Sequence, residues 1–406
     1  MKLFRGRIFK NLVALGAIRG TNIVVSLVTI PYLVKTVGLE NYGLLAFSLA
    51  LATFFGTVVQ YGFSISATRR IAHEKGNLTE LSKEFTLTTA VTWAFTLIIA
   101  ACFAFTFTIF RNFSEIWNLH IGAFSLSLAV SLFPHWLFLG LGRSSVVAIM
   151  TLFIRLTYIG LLILFVKEPA DYILVHYLNA LSAMSALFVS YIYIALYTDV
   201  KLTVVKFRDM WHHVVSGFSF FLIQFAPLLY NNFTIFFVGL TASPVSVGIF
   251  SVASGIIEII ISFGRIGSNA ALPVLTTKPE KHSIFATVLI GAGITISCLV
   301  LLYAPIIAQI VSDENHGDIS LYLRVLAVGM PFSFAYLAYN TYGLAIFGHS
   351  RIAAKLTVTI SLISLLIAIV SIPTLGSWGG VVTLIAARTM LGSYSAFVAK
   401  TLVRTN

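Results

Sequence analysis

The stretch IFATVLIGAGITISCLVLLYAPIIAQI occupies residues 284–310 and contains no charged side chain. A helix of about 20 apolar residues crosses the hydrocarbon core of a bilayer, so this stretch predicts a membrane-spanning helix. The whole chain has the same character, because 58% of its 406 residues are hydrophobic and 10% are charged. Soluble domains carry about 25% charged residues. The composition therefore excludes a soluble globular protein and predicts a function within or across a membrane.

Apolar stretches of similar length recur along the chain and are separated by polar residues, glycine or proline. They predict an all-α polytopic membrane protein with about 12 spans and little mass outside the bilayer. The expected spans are residues 12–34, 42–65, 85–109, 117–139, 146–166, 171–197, 214–240, 247–274, 284–310, 321–345, 352–372 and 379–400.

The longest mid-chain segment without an apolar span lies near residues 198–213. It predicts an N-terminal lobe of spans 1–6 (residues 1–200), a central cytoplasmic loop (residues 201–213) and a C-terminal lobe of spans 7–12 (residues 214–406). His212 and His213 fall in this loop and are interpreted as ordinary loop or interfacial histidines. Repeated halves are frequent in transporters, which bind substrate where the repeats meet.

The distribution of lysine and arginine predicts the orientation of the chain. With the N-terminus inside, the inside segments carry 18 of the 26 basic residues and the outside segments carry 4. Cytoplasmic loops retain positive charge, so both termini are predicted to be cytoplasmic. This placement also explains the net charge of +12 without a nucleic-acid partner.

The remaining four basic residues fall inside predicted spans: Arg19, Arg155, Arg265 and Arg388. A charged side chain at the bilayer centre costs about 2.5–3.5 kcal/mol, so each arginine needs water, a partner or an anion. Arg19 shares one helical face with Asn22, and Arg265 lies on a serine-rich face of the eighth span. We expect the polar faces of spans 1, 2, 7 and 8 to line a central cationic cavity. The candidate substrate-binding residues are Arg19, Arg265, Arg155, Arg388, Asn22, Gln60 and Asn231.

Glu258 is the one carboxylate inside a predicted span. It precedes Arg265 by seven residues, or about 10.5 Å along a helix axis, so direct contact between the two is not expected. Two interpretations stay open: a salt bridge to another helix, with Arg155 or Arg388 as partner, or a protonatable group that couples transport to H⁺ or Na⁺. The excess of arginine predicts an anionic ligand, and a pair such as Arg19 and Arg265 matches a diphosphate. The hypothesis fails if each of these arginines is neutralised by a dedicated acid.

The sequence contains no recognisable catalytic site. No HExxH motif, no Walker-type phosphate loop and no pair of carboxylates inside a span occurs. Cys102 and Cys298 lie in apolar runs without metal-ligand spacing, so neither a disulfide framework nor a zinc site is expected. We therefore expect a protein that is not an enzyme and needs no cofactor.

Three N-terminal motifs carry a family resemblance: IPYL at residues 30–33, VGLENYG at 37–43 and QYGFSISATRRIA at 60–72. They resemble the Wzx O-antigen flippases, in the polysaccharide transport branch of the MOP exporter superfamily. The resemblance implies two lobes around a cavity and transfer of an undecaprenyl-diphosphate-linked oligosaccharide, such as an O-antigen repeat unit of lipopolysaccharide, from the cytoplasmic to the periplasmic leaflet by alternating access. It also implies location in a bacterial inner membrane, with lipids, the O-antigen polymerase and the chain-length regulator of the same pathway as partners.

The lipid II flippase of the same superfamily is similar in having cavity arginines on its first and eighth helices and an acidic residue after the first. Arg19, Arg265 and Glu40 occupy comparable positions, which makes Glu40 a candidate gate or loop residue. Val25 and Thr53 stand where that flippase has further arginines. Together with 12 spans instead of 14, this departure argues against lipid II as the cargo.

Two alternatives to a flippase stay open. A MATE-like cation or drug antiporter would share the layout, but such exporters rely on buried carboxylates in the first lobe, and none falls inside a predicted span there. The other alternative is an enzyme, such as a membrane glycan polymerase or acyltransferase. Polymerases of this pathway usually carry a sizeable outside loop with catalytic residues, whereas the predicted outside loops have about ten residues or fewer.

Overall fold

The computed structural model describes residues 2–74, 76–109, 116–344 and 346–404. Within these ranges the chain is helical with short connections and contains no β-strand. The α-helices are α1 (Lys2–Gln60), α2 (Phe63–His73), α3 (Leu78–Ile109), α4 (Trp117–Leu132), α5 (His135–Gly140), α6 (Ser144–Phe165), α7 (Leu174–Tyr197), α8 (Phe207–Phe225), α9 (Asn232–Thr241), α10 (Pro244–Thr277), α11 (His282–Val311), α12 (His316–Ala327), α13 (Met330–Tyr336), α14 (Ser350–Leu375) and α15 (Ser377–Arg404).

The number of candidate membrane spans agrees closely with the sequence prediction. In the described ranges, 10 helices are long and apolar enough to cross a membrane, or 11 if the bent pair His316–Ala327 and Met330–Asn340 forms one span. The sequence predicts one more because the single candidate Gly20–His73, 54 residues long, covers two predicted spans. The all-α polytopic fold class is confirmed.

Gly38 interrupts the long helix α1 between these two predicted spans. Its φ of 84° and ψ of 163° are non-helical, and only glycine adopts such angles without strain. The sequence alone predicts a loop at this point, since a polar stretch separates the apolar runs. In the structure, the single residue Gly38 separates the two helical segments in place of the predicted loop.

The chain divides into two compact units, Met1–Thr21 with Ser48–Phe225, and Asn22–Phe47 with Ala226–Asn406. Residues 22–47 thus belong to the second unit, and helix α8 to the first, whereas the predicted lobes follow the order of the chain. The predicted lobe boundaries at residues 200 and 214 themselves stay a prediction.

Contacts within the first unit explain which residues occur in the motif at residues 60–72. Gly62 has a φ of 72°, and a Cβ there would come within 2.6 Å of the Phe220 backbone. Tyr61 stacks on Phe221 with ring centroids 4.9 Å apart, and the amide of Gln224 contacts the Ser64 hydroxyl. The motif therefore forms the surface of the first unit to which α8 is attached.

In the second unit, the segment around residues 39–43 meets α10 at backbone distance. A Cβ on Gly43 would collide with the carbonyl oxygen of Pro244, and one on Gly248 with that of Leu39. Small residues at such positions let membrane helices approach closely. This contact explains why residues 22–47 pack with the second half of the chain.

Candidate functional site

Glu258 and Arg265 form a direct salt bridge on α10, with Arg265 Nη2 2.6 Å from Glu258 Oε1. The expectation that a spacing of seven residues keeps the two side chains too far apart for direct contact was wrong. Side chains in an α-helix lean toward its N-terminus, so the long arginine side chain leans back toward the glutamate two turns earlier. Both side chains are still 38–42% exposed, which leaves them accessible to a ligand.

This salt bridge borders a small pocket of about 30 Å³ inside the second unit, here called the arginine pocket. Its walls come from α10, α13, α15 and the break before α9. The lining residues are Tyr230, Asn231, Glu258, Ile261, Arg265, Ser333, Tyr336, Leu337, Arg388 and Leu391. Four residues singled out from the sequence therefore lie together: Asn231, Glu258, Arg265 and Arg388.

Arg388 is the most deeply buried charged group of the arginine pocket, since only 5% of its surface is exposed. Its Nη1 atom has no hydrogen-bond partner among the described residues. Gly329 makes room for the aliphatic part of this side chain, because a Cβ there would lie 3.2 Å from Arg388 Cδ. A buried charged donor without an acceptor is costly, so the pocket favours an anion or a polar ligand at this point.

Irregular helices surround the arginine pocket on two sides. A 3₁₀ turn at Ala226–Leu229 breaks the helix before Asn231, and a π-helix runs through Leu337–Leu344 directly after Tyr336. Short π-helices occur frequently at functional sites because they misalign the regular hydrogen-bond ladder. Tyr230, Ser333 and Tyr336 line the pocket near these breaks and were not predicted from the sequence.

The other predicted site residues lie elsewhere. The side chain of Arg19 is outside the described part of the structure. Arg155 on α6 and Gln60 at the end of α1 are half-buried in the first unit, and Asn22 is half-buried in the second. Glu40 is exposed, two residues after the break at Gly38. The central cavity lined by spans 1, 2, 7 and 8 stays a prediction.

A second polar cluster joins α2, α3 and α8 in the first unit. Arg70 donates from Nε to Glu84 Oε1 (2.6 Å), from Nη1 to Ser216 Oγ (3.2 Å) and from Nη2 to His213 Nε2 (3.1 Å). His213 is 4% exposed and also contacts the Thr88 hydroxyl. The prediction that His213 lies in a loop was wrong, because α8 begins at Phe207 and this side chain is buried on that helix.

Comparisons with known proteins agree with this fold. Residues 8–277 match the family described as "Polysaccharide biosynthesis protein". A protein of Escherichia coli K12 named "Putative O-antigen transporter" is 23% identical over 402 residues, covering 95% of this chain and 94% of its own. A protein of the same name from Shigella dysenteriae is 23% identical over 398 residues, covering 94% of this chain and 97% of its own.

Solved structures share the architecture. The lipid II flippase MurJ in an inward closed conformation superimposes with a TM-score of 0.68 at 18% identity, covering 98% of this chain and 88% of its own. An inward-facing multidrug resistance MATE transporter of the MOP superfamily gives 0.66 at 14% identity, covering 94% and 98%. The expectation of a transporter that is not an enzyme agrees with these names. Because the family match covers more than half of the sequence, this chain belongs to the polysaccharide biosynthesis protein family.

Proposed function

We propose that this chain moves an undecaprenyl-diphosphate-linked oligosaccharide from the cytoplasmic to the periplasmic leaflet of a bacterial inner membrane by alternating access. The names of the sequence relatives support a polysaccharide precursor as cargo, and the lipid II flippase fold supports transfer of a lipid-linked one. The polymerase and chain-length regulator that act on the transferred repeat unit are the proposed protein partners.

The observation that carries the proposal is the unsatisfied Nη1 of buried Arg388 next to the Glu258–Arg265 salt bridge. Two arginines and one glutamate leave the arginine pocket with one net positive charge. A guanidinium presents a planar fork of donors that matches phosphate oxygens. We assign Arg388 and Arg265 to the diphosphate, with Arg19, Arg155, Asn22, Gln60 and Asn231 retained as candidates for the remaining diphosphate and glycan contacts.

The small volume of the arginine pocket supports a conformational step. Its 30 Å³ is far below the roughly 300–1,000 Å³ of sites that enclose ligands. A diphosphate therefore enters only after the pocket widens, as a rocking motion of transporter repeats provides.

Glu258 supplies a route for coupling to ions. When a phosphate recruits Arg265, the carboxylate loses its counter-ion, and a carboxylate within the membrane needs another cation. A proton or Na⁺ bound at Glu258 would replace Arg265 during the loaded step and leave again when the salt bridge reforms. Glu40 is retained as a gate candidate because it lies beside Gly38.

The test is a leaflet assay with purified protein in vesicles that contain a fluorescent undecaprenyl-diphosphate-linked oligosaccharide. Arg388→Ala is expected to abolish transfer, whereas Arg324→Ala, at an exposed arginine on α12, is the matched control and retains it. Chemical change of the lipid-linked glycan during the assay would identify an enzyme instead. Transport of cationic dyes, with no transfer of the glycan, would identify an antiporter, although the positive pocket disfavours cations.

A further inference from the structure

The first unit contains a much larger cavity of about 950 Å³, here called the α8 cavity. It is lined by α2, α3, the linker before α8 and α8 itself. All of these segments carry loops or helix ends that the charge distribution assigns to the cytoplasmic side. Its volume falls in the range of about 300–1,000 Å³ that is typical of ligand sites.

The cavity presents basic groups that form no ion pair within the described part of the chain. Arg70 already donates hydrogen bonds to Glu84, His213 and Ser216. Four other lining cations form no ion pair within the described residues: Arg69, Lys83, Lys206 and Arg208. Two of them come from helices α2 and α3 and two from the start of α8 and its linker, so they converge from separate elements. This arrangement favours an anion with several oxygen atoms, such as a diphosphate.

The cavity also presents carboxylates that a simple phosphate site would avoid. Glu80 and Asp209 line it and have no cationic partner in the described part of the chain. Their charge disfavours a bare phosphate close by. A carboxylate is, however, a strong acceptor for hydroxyl donors. Cations and free acceptors in one cavity therefore match a ligand that combines phosphate with sugar hydroxyls.

A second face of α8, which adjoins the one that lines the cavity, is apolar and exposed. Phe207, Trp211, Val215 and Phe218 are 79%, 62%, 57% and 48% exposed, and their spacing of three to four residues puts them on one face. None of them lines the cavity, whereas Lys206, Arg208 and Asp209 do. All four residues lie within the candidate membrane span Phe207–Leu229, so this face offers a hydrocarbon chain a track beside the polar cavity.

The linker indicates the depth of this site in the membrane. Its non-helical residues 198–206 are tied to α3, where the amides of Lys201 and Thr203 donate to Ser82 Oγ (3.1 Å) and Thr86 Oγ1 (2.9 Å). Irregular backbone is not exposed to lipid within the hydrocarbon region. Leu202 and Val204 on this linker are 73% and 101% exposed, and Trp211 follows on α8. Tryptophan side chains are enriched at the membrane–water interface, so Trp211 indicates that the start of α8 lies near the lipid headgroups.

We propose that the α8 cavity is the docking site at which a glycosylated lipid diphosphate is collected from the cytoplasmic leaflet before transport. The basic residues hold the diphosphate, Glu80 and Asp209 accept hydrogen bonds from sugar hydroxyls, and the prenyl chain lies along the apolar face of α8. This inference rests on the proposed function for the identity of the ligand and concerns a site separate from the arginine pocket.

The test measures binding of a polyprenyl-diphosphate-linked sugar to the full chain in phosphatidylcholine nanodiscs. The double variant Lys206→Glu/Arg208→Glu is expected to lower affinity about tenfold. Lys201→Glu is the matched control, because Lys201 is exposed on the same linker but does not line the cavity, and we expect a change of less than about twofold. Equal losses in both variants would mean general charge attraction and would overturn the proposal.

Two further arms test the ligand class. Glu80→Gln/Asp209→Asn is expected to lower affinity for the glycosylated lipid about fivefold and leave or increase affinity for polyprenyl diphosphate without a sugar. An excess of phosphatidylglycerol is expected not to displace the glycosylated ligand, and full displacement would overturn the assignment. If the Lys206→Glu/Arg208→Glu variant binds and transfers the ligand as the wild-type chain does, this inference alone is wrong. If the wild-type chain itself transfers no ligand, the proposed function is wrong.

Discussion

Arg265 and Glu258 are held with Nη2 and Oε1 2.6 Å apart on one helix, although two helical turns separate them in the sequence. Arg265 therefore already has a carboxylate partner, whereas the sequence predicted no direct contact between these two residues. Arg388 has no such partner at Nη1 and is more deeply buried. Arg388 is therefore a better candidate than Arg265 for binding an anion.

Replacing Glu258 by Gln should free Arg265 from its salt bridge, because the Glu258 carboxylate competes with a ligand phosphate for this guanidinium. We expect the affinity for a lipid diphosphate to rise by about tenfold, because a charge-assisted hydrogen bond contributes about 1.5–3 kcal/mol. Transfer should become slower and independent of an imposed H⁺ or Na⁺ gradient. Binding and leaflet assays measure both effects, with Glu314→Gln, an exposed glutamate, as control. Unchanged affinity and an intact gradient response would remove Glu258 from the mechanism.

Replacing Arg70 by Ala should destabilise the first unit. The change leaves the Glu84 carboxylate, whose side chain is 11% exposed, without its cation and removes the donor to His213. We expect a loss of about 1.5–3 kcal/mol in folding stability, since a hydrogen bond to a charged group contributes about that much. Thermal unfolding in detergent should show a clear drop for this variant. Arg69→Ala, at the exposed neighbouring arginine, should unfold like the wild type, and equal drops would contradict the assigned role of Arg70.

Replacing Gly43 or Gly248 by Val should prevent residues 39–43 from packing against α10. The new side chains would meet backbone carbonyl groups that cannot move aside. We expect less folded protein in the membrane, measured as the monodisperse fraction in size-exclusion chromatography. Gly20→Ala in α1 is the control, because a Cβ there meets nothing within 4 Å, and it should be neutral or slightly stabilising. Wild-type behaviour of Gly43→Val would show that the contact is dispensable.

Cysteine labelling checks the predicted orientation. Cys102 and Cys298 are exposed on apolar spanning helices, so a membrane-impermeant maleimide should not react with either in intact cells. In a cysteine-free background, Asp313→Cys should react from outside, since Asp313 pairs with Lys35 at the predicted outer side. Lys206→Cys should react only after the membrane is opened. The reverse pattern would invert the topology and relocate the α8 cavity to the outer face.

The amino-acid sequence is enough to predict the membrane class, the approximate limits of the spans and the charged residues inside them. These properties are local, because the transfer of a segment into the bilayer depends on its own side chains. For the same reason, Glu258, Arg265, Arg388 and Asn231 could be selected before any contact was known. The motif at residues 60–72 was recognisable as well, although its packing against α8 was not.

Which of these groups come into contact is a property of the folded chain. The lean of Arg265 toward Glu258, the meeting of α10 with α15 at Arg388 and the attachment of α8 to α2 and α3 depend on how helices distant in sequence pack. Such packing is controlled by close backbone approaches, as at Gly43 and Gly248, and by breaks such as the π-helix Leu337–Leu344. Hydropathy carries no information about either, because both depend on the shapes of neighbouring helices and not on the polarity of the segment itself.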